Sequence, residues 1–286
     1  MKKILFPTDF SSAAENALKY ALHLAADLNA ELHFLHVYHY TMPSGMYVPD
    51  ELKEALEVEM EEDAKKHLQK YTRQQVLELD KPVPVEHHLV YGFAQEQIVK
   101  IATEIDANMI VMGTTGASSA LEKMIGSVTA AIMAEGPCPV LAIPDGYPYK
   151  PIKEITYASS LEDGETNVFE KLCYFVNTLK ANMSCLHIKK PSEDLKDPLI
   201  EAYDKYFMDQ VSKRNLSYFL LEGDDVRSAI EHFLEINKTD VLAMLTHRRS
   251  LLAKLLNPSL TRELAMKAQL PLLAFQKGTV HHLAKA

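Results

Sequence analysis

The sequence predicts an α/β fold made of two tandem, doubly wound domains, and three observations carry that prediction. Short apolar runs alternate with longer stretches of helical periodicity along the chain. The chain matches itself at a shift of 151 residues early in each half and of 132 residues late in each half. Its 286 residues, 47% apolar and 24% charged, suffice for two cores of ordinary size.

The self-match is readable residue by residue. Lys3-Ile4-Leu5-Phe6 falls on Glu154-Ile155-Thr156-Tyr157, and Leu35-His36-Val37 falls on Leu186-His187-Ile188. Later, Ile110-Val111-Met112 meets Leu242-Ala243-Met244, and Pro139 to Ile143 meets Pro271 to Phe275. The drop in shift assigns 19 extra residues to the middle of the first half. The turn-rich stretch Pro144-Asp145-Gly146-Tyr147-Pro148 separates the copies, so the domains are expected at 1–146 and 147–286.

Within the first copy, Lys3 to Thr8 is a short apolar run ended by proline, and Ala30 to Tyr38 is another. Between them Ala13, Ala17, Leu18, Ala21, Leu24, Ala25 and Leu28 recur at helical spacing, with Ser11 or Ser12 as N-cap and Glu15 placed for a capping box. The extra segment includes Asp50 to Leu79, rich in Glu, Lys and Gln. Its apolar stripe of Leu52, Leu56, Met60, Ala64 and Leu68 predicts an amphipathic helix, either a solvated face or a docking surface. Then follow a strand over Pro84 to Val90, a helix over Ala94 to Ile105, a strand over Met109 to Gly113, a helix over Ser127 to Glu135 and a strand over Pro139 to Ile143. Strands separated by helices require a parallel sheet covered on both faces. The final strands of the two copies, short and apolar, are expected to pair edge to edge and make a pseudo-dimer within one chain.

Composition excludes several functions. The net charge of −9 arises wholly before residue 151, where 12 basic residues face 21 acidic ones. Neither half has the basic excess that drives nucleic-acid binding. No apolar run approaches the roughly 18 residues that span a membrane, and the start MKKILFPTDF lacks a signal core. Cys138, Cys173 and Cys185 form no CxxC pair and read as buried thiols of a reducing compartment, so a cytoplasmic location is expected.

One constellation carries chemistry. The strand Met109 to Met112 runs into Gly113-Thr114-Thr115-Gly116, nine residues follow, and Gly126-Ser127-Val128-Thr129 opens the next helix. Glycines after a strand let backbone approach a ligand, and a helix start offers amide donors and a favourable dipole to an anion. Ser127 adds a hydroxyl and also reads as an N-cap. With the first strand beside the fourth, Asp9 of Pro7-Thr8-Asp9 emerges on the same sheet edge, placed to accept from ribose hydroxyls or to cap the following helix. Neither GxxxxGK(S/T) nor GxGxxG after the first strand occurs.

The pattern Gly-x2-Gly-x9-Gly-Ser, with Pro-Thr-Asp ending the first strand and Leu-His-Val in the second, resembles the universal stress protein family. The resemblance spans nearly the entire chain as a tandem of two such domains. It implies Rossmann-like parallel sheets of five strands each, in the order 3-2-1-4-5, and ATP binding in the first copy. The implied contacts are Asp9 to ribose, Val37 backbone to adenine, and Gly113, Gly116, Gly126 and Ser127 around the phosphates with Val128 beside them. Pro7, Thr8 and Met112 complete the site, and Mg²⁺ would arrive with the nucleotide.

The second copy departs from the motif. Gly113 becomes Leu245, Gly116 becomes Arg248, Gly126 becomes Pro258, Asp9 becomes Ser160 and Pro7 becomes Ala158, while Ser127 persists as Ser259. This copy is expected not to bind ATP: Thr246-His247-Arg248-Arg249 can put a guanidinium where phosphates would sit, and the copy either fills its own pocket or takes a different anion. His36 and His187, at equivalent positions, read as packing residues, and no HExxH or GxSxG occurs. No catalytic residue and no protein metal site are assigned; at most slow ATP hydrolysis or self-phosphorylation is expected. The resulting role is a regulatory module of the stress response, alone or as a homodimer, with a protein partner that the sequence does not name. A nucleotide-independent scaffold is the alternative.

Overall fold

The computed structural model describes residues 2–39, 50–76, 81–114, 125–161, 165–189, 198–213, 216–246 and 270–276. In the first half these form β1 (Lys2–Pro7), α1 (Ser12–Leu28), β2 (Ala30–Tyr38), α2 (Asp50–Val76), β3 (Val85–Tyr91), α3 (Ala94–Glu104), β4 (Met109–Gly113), α4 (Ser127–Glu135) and β5 (Val140–Ile143). The second half follows with β6 (Glu154–Ser159), α5 (Glu165–Leu179), β7 (Asn182–Lys189), α6 (Pro198–Lys213), β8 (Leu216–Glu222), α7 (Val226–Ile236), β9 (Val241–Thr246) and β10 (Leu272–Gln276). Among the described residues, no helix is long and apolar enough to cross a membrane.

All ten strands join one sheet in the order β3-β2-β1-β4-β5-β10-β9-β6-β7-β8. Neighbours within each half are parallel. The halves meet where β10 runs antiparallel to β5, with Leu272 opposite Ala142, Leu273 opposite Leu141 and Ala274 opposite Val140. These residues are almost wholly removed from water, so each edge that would be open in a single copy is covered by its equivalent.

Burial explains the strands. Ile4, Leu5 and Phe6 are all inaccessible, as a central parallel strand with helices on both faces demands. Phe6 joins a core with Leu18 of α1, Leu68 and Tyr71 of α2, Phe169 of α5 and Phe207 of α6. Leu5 joins the opposite one, with Ile98 of α3, Ile132 of α4 and Phe233 of α7. α1 starts at Ser11, whose side chain accepts from the Ala14 amide, and stops at Asn29 in the left-handed region with φ 51°. The cap is therefore Ser11 and not Ser12.

The repeat extends to individual hydrogen bonds. His36 Nδ1 donates to Thr8 O at 2.8 Å, and His187 Nδ1 to Ser159 O at 3.0 Å. The Asn108 amide donates to Lys3 O at 2.9 Å and the Asp240 amide to Glu154 O at 2.8 Å. These histidines do in both halves what a packing residue does, pinning the end of the first strand to the second.

The structure revises the reading of the extra segment. α2 is not an addition, because α6 occupies the same place between the second and third strands of its half. It is a lengthened counterpart, 27 residues against 16. Among its described side chains the anchored ones lie in the later part: Leu68 and Tyr71 are buried, whereas Met60 is 42% exposed. The side chains of Leu52 and Leu56 lie outside the described residues. The connection between the halves is tied down on α1. Asn16 Nδ2 donates to Pro144 O at 3.0 Å, Tyr20 Oη donates to Pro148 O at 3.2 Å, and Tyr149 stacks on His23 at 3.9 Å.

Candidate functional site

The carboxyl ends of β1, β2 and β4 and the start of α4 enclose a cavity of about 360 Å³. It lies where β1 separates the outward progression to β2 from that to β4, the switch point at which doubly wound sheets hold ligands. Of the residues expected from the sequence, Pro7, Thr8, Asp9, Val37, Met112, Gly113, Gly126, Ser127 and Val128 all line it. Gly116 lies outside the described residues. The lining also includes Ala14, Leu35, Ala94, Ile98 and Thr129, which the motif did not indicate. Ala94 and Ile98 are four apart on α3 and so share a helix face, a signal that was available but pointed equally well to core.

The cavity has two chemical ends. Val37, Ala94, Ile98, Met112 and Val128 make an apolar slot. At the other end α4 begins at Gly126, which forms no side-chain cap bond. The first-turn amides of Ser127, Val128 and Thr129 have no intrahelical acceptor, and the helix dipole places partial positive charge there. An anion fits this end with no charged side chain required.

Three details of the motif differ from the expectation. The Gly126 amide is not presented to a ligand: it donates to Thr114 O at 2.6 Å, closing the loop between its two described ends. Ser127 is not the N-cap but the first helical residue, so its exposed hydroxyl is available to a ligand and does not serve the helix. Gly113 is bare for a different reason. A Cβ there would stand 2.9 Å from Ala13 O, so glycine is required by the close approach of α1 to β4.

Asp9 serves the helix start. Its Oδ1 accepts from the Ser11 amide at 3.1 Å and the Ser11 hydroxyl at 2.6 Å, bracing the turn into α1, and the residue is exposed on the cavity wall. Phe10 takes φ 60° in this turn and Leu161 takes φ 55° in the equivalent one. The Phe10 ring packs on His36 at 4.5 Å, His67 at 4.3 Å and Tyr71 at 5.1 Å, which ties α2 to the same turn. Burial pulls His36 below the usual histidine range, its bond to Thr8 O opposing, and burial pushes the Tyr71 phenol up.

The corresponding region of the second half is built otherwise. Glu165, fully buried, aligns with Ala14 of the cavity wall at the 151 shift. Its carboxylate accepts from the Ser159 hydroxyl, and at 3.0 Å each from the Ser160 amide and Ser160 hydroxyl. A carboxyl group thus occupies the turn that Asp9 braces from outside in the first half. Leu245 stands where Gly113 stands. Arg248, Pro258 and Ser259 lie outside the described residues, so the expected guanidinium is not seen; the buried group at this turn is a carboxylate.

A family model described as the universal stress protein family matches residues 1–144. The chain belongs to the universal stress protein family. Two universal stress proteins of Methanocaldococcus jannaschii are similar to it. MJ0531 is 30% identical over 144 residues, 50% of this chain and 81% of that protein. MJ0577 is 31% identical over 155 residues, 50% of this chain and 94% of that protein. Solved structures of universal stress proteins match the fold over both halves. One from Archaeoglobus fulgidus covers 96% of this universal stress protein and 98% of itself, with TM-score 0.71 and 18% identity. A putative universal stress protein from Pseudomonas aeruginosa covers 99% and 96%, with TM-score 0.63 and 15% identity.

Proposed function

We propose that the first half of this universal stress protein, taken as a domain over 1–146, binds an adenine nucleotide, ATP, and that the chain is a nucleotide-holding regulatory module of the stress response. The observation that carries this reading is the joining, in one cavity, of an apolar slot to an uncapped helix start. The slot takes the adenine ring, with the Val37 backbone at its edge. The first-turn amides of α4 and the Ser127 hydroxyl take the phosphates, with Gly113, Gly116 and Gly126 keeping side chains out of the loop. Asp9, on the cavity wall, is the residue assigned to the ribose hydroxyls.

The fit holds for ATP more firmly than for its metal. Asp9 is the one carboxylate among the described cavity-lining residues, so Mg²⁺ enters this reading as the nucleotide's counter-ion, held by phosphate oxygens. Efficient phosphoryl transfer needs a carboxylate on the metal and a group orienting the nucleophile. With Asp9 assigned to ribose, the site is a holder of nucleotide. The second half, over 147–286, holds none, because the Glu165 carboxyl group fills the turn that Asp9 braces in the first half and the Leu245 side chain stands where bare backbone would be. Three buried free thiols, Cys138, Cys173 and Cys185, fit a reducing, cytoplasmic setting.

The experiment is calorimetric titration of ATP into the full chain and into Gly116→Arg, which copies the second half. One site per chain, lost in the variant, is the expected result. Two sites would overturn the assignment of the second half. No site would overturn the nucleotide reading and favour a scaffold acting through α2.

A further inference from the structure

The helix whose start faces the cavity is held at its other end by the second half. α4 has nine residues and is about 13 Å long, so its two ends cannot tilt independently. Its last carbonyls need donors from outside the helix. Gln276, at the end of β10, donates from Nε2 to Met133 O at 3.0 Å and to Ile132 O at 3.5 Å. The Thr246 hydroxyl, at the end of β9, lies 3.1 Å from Met133 O and 3.0 Å from Phe275 O and shares its proton between them. Both side chains are 2% exposed, so neither spends its polarity on water.

Two further observations show that the contact is built. At the 132 shift Gln276 corresponds to Pro144, whose side chain carries no donor. At this position the repeat carries a side-chain donor in the second half and none in the first. Gly136, the C-cap of α4, also has a steric reason to be glycine. A Cβ there would stand 2.6 Å from Ile132 O and 3.5 Å from Gln276 Nε2, pushing on a carbonyl that accepts from Gln276.

We propose that the second half regulates nucleotide affinity in the first by fixing the direction of α4, with Gln276 and Thr246 as positioning residues for the phosphate-binding end. The inference rests on the nucleotide reading above. It gives the degenerate half a role: having lost its own motif, it serves as the support against which the helix of the other half is aimed. A change at the β5–β10 seam would reach the phosphates through this helix and bypass the adenine slot.

The test uses full-length Gln276→Met and Thr246→Val, titrated with ATP, AMP and adenosine, with thermal unfolding in parallel. Loss of one helix-end hydrogen bond is expected to weaken ATP about three- to tenfold. AMP should weaken less and adenosine not at all, because only phosphates feel the helix start. Gly136→Ala, which disturbs the same end of α4 from within the first half, should give the same graded loss if either variant fails to fold. Equal weakening of all three ligands would mean general loosening and overturn the proposal, as would unchanged ATP affinity in folded variants. A wild-type chain that binds none of the ligands would instead overturn the nucleotide reading itself.

Discussion

Gly113→Ala probes the packing beneath the cavity. The added Cβ would sit 2.9 Å from Ala13 O, 3.1 Å from Ala13 C and 3.4 Å from Ala13 Cβ. Carbon contacts relax near about 3.5 Å, so the first turn of α1 must withdraw by about half an ångström. That turn cannot yield freely, because Ala13, Ala17 and Leu18 are buried along the same face. Overpacking of this kind costs about 1–3 kcal/mol. With a urea slope of about 3 kcal/mol/M, the unfolding midpoint should fall by about 0.3–1 M at unchanged slope. Ser11 caps α1 and is bonded to Asp9, so the shift reaches the cavity wall and ATP affinity should fall with stability. Gly223→Ala is the matched control. Its Cβ would meet Ala229 Cβ at 3.6 Å and Ile188 Cγ2 at 3.7 Å, ordinary contacts, so its midpoint should hold or rise slightly. An unchanged midpoint and unchanged ATP titration for Gly113→Ala would refute the account of why this glycine is required.

Two other outcomes follow from the comparison of the halves and from the histidines. Phe93 is the N-cap of α3, has cap-like backbone angles and makes no side-chain cap bond, and its ring is 74% exposed. At the same place Asp225 caps α7, accepting from the Arg227 amide at 3.1 Å and the Ser228 hydroxyl at 2.6 Å. Phe93→Asp should therefore stabilise the chain by about 0.5–2 kcal/mol, seen as a higher melting temperature; a lower one would contradict the assignment of the cap. His33, His36 and His88 all lie below the usual histidine range, burial being the first cause in each. The unfolded chain then takes up protons before the folded one as pH falls below about 6.5, so folding stability is full above that pH and declines beneath it. Urea midpoints at pH 7.5, 6.5 and 5.5 should fall in that order, ahead of carboxylate titration, and a midpoint that rose on acidification would reverse the sign.

The periods of apolar residues were legible because they are local. A strand buried on both faces reads as an unbroken apolar run, and a helix lying on a sheet reads as a stripe, whichever neighbours they have. β2, β4 and α4 accordingly lie where the sequence predicts them. The self-match added topology, since two copies of one pattern must solve one packing problem twice. The glycine spacing pointed to a strand end and a helix start that line a single cavity with the end of the first strand. Self-comparison did miss α6 as the counterpart of α2, because helices on a surface keep their place without keeping their residues.

By itself, the sequence determined the α/β class, the duplication, the lost motif in the second half and nine of the residues that gather at the first cavity. Tertiary structure alone decided what those residues do there. That the Gly126 amide is already engaged by Thr114 O, that Gly113 is bare for the sake of Ala13, and that Gln276 holds the far end of α4 are facts about direction in space. Glu165 belongs with them: its carboxylate turns back to Ser159 and Ser160, filling a turn that its sequence neighbours give no reason to think filled. The physical reason is common to all four. A hydrogen bond or a clash depends on tenths of an ångström and on which way a group points, and packing between segments up to 144 residues apart sets both.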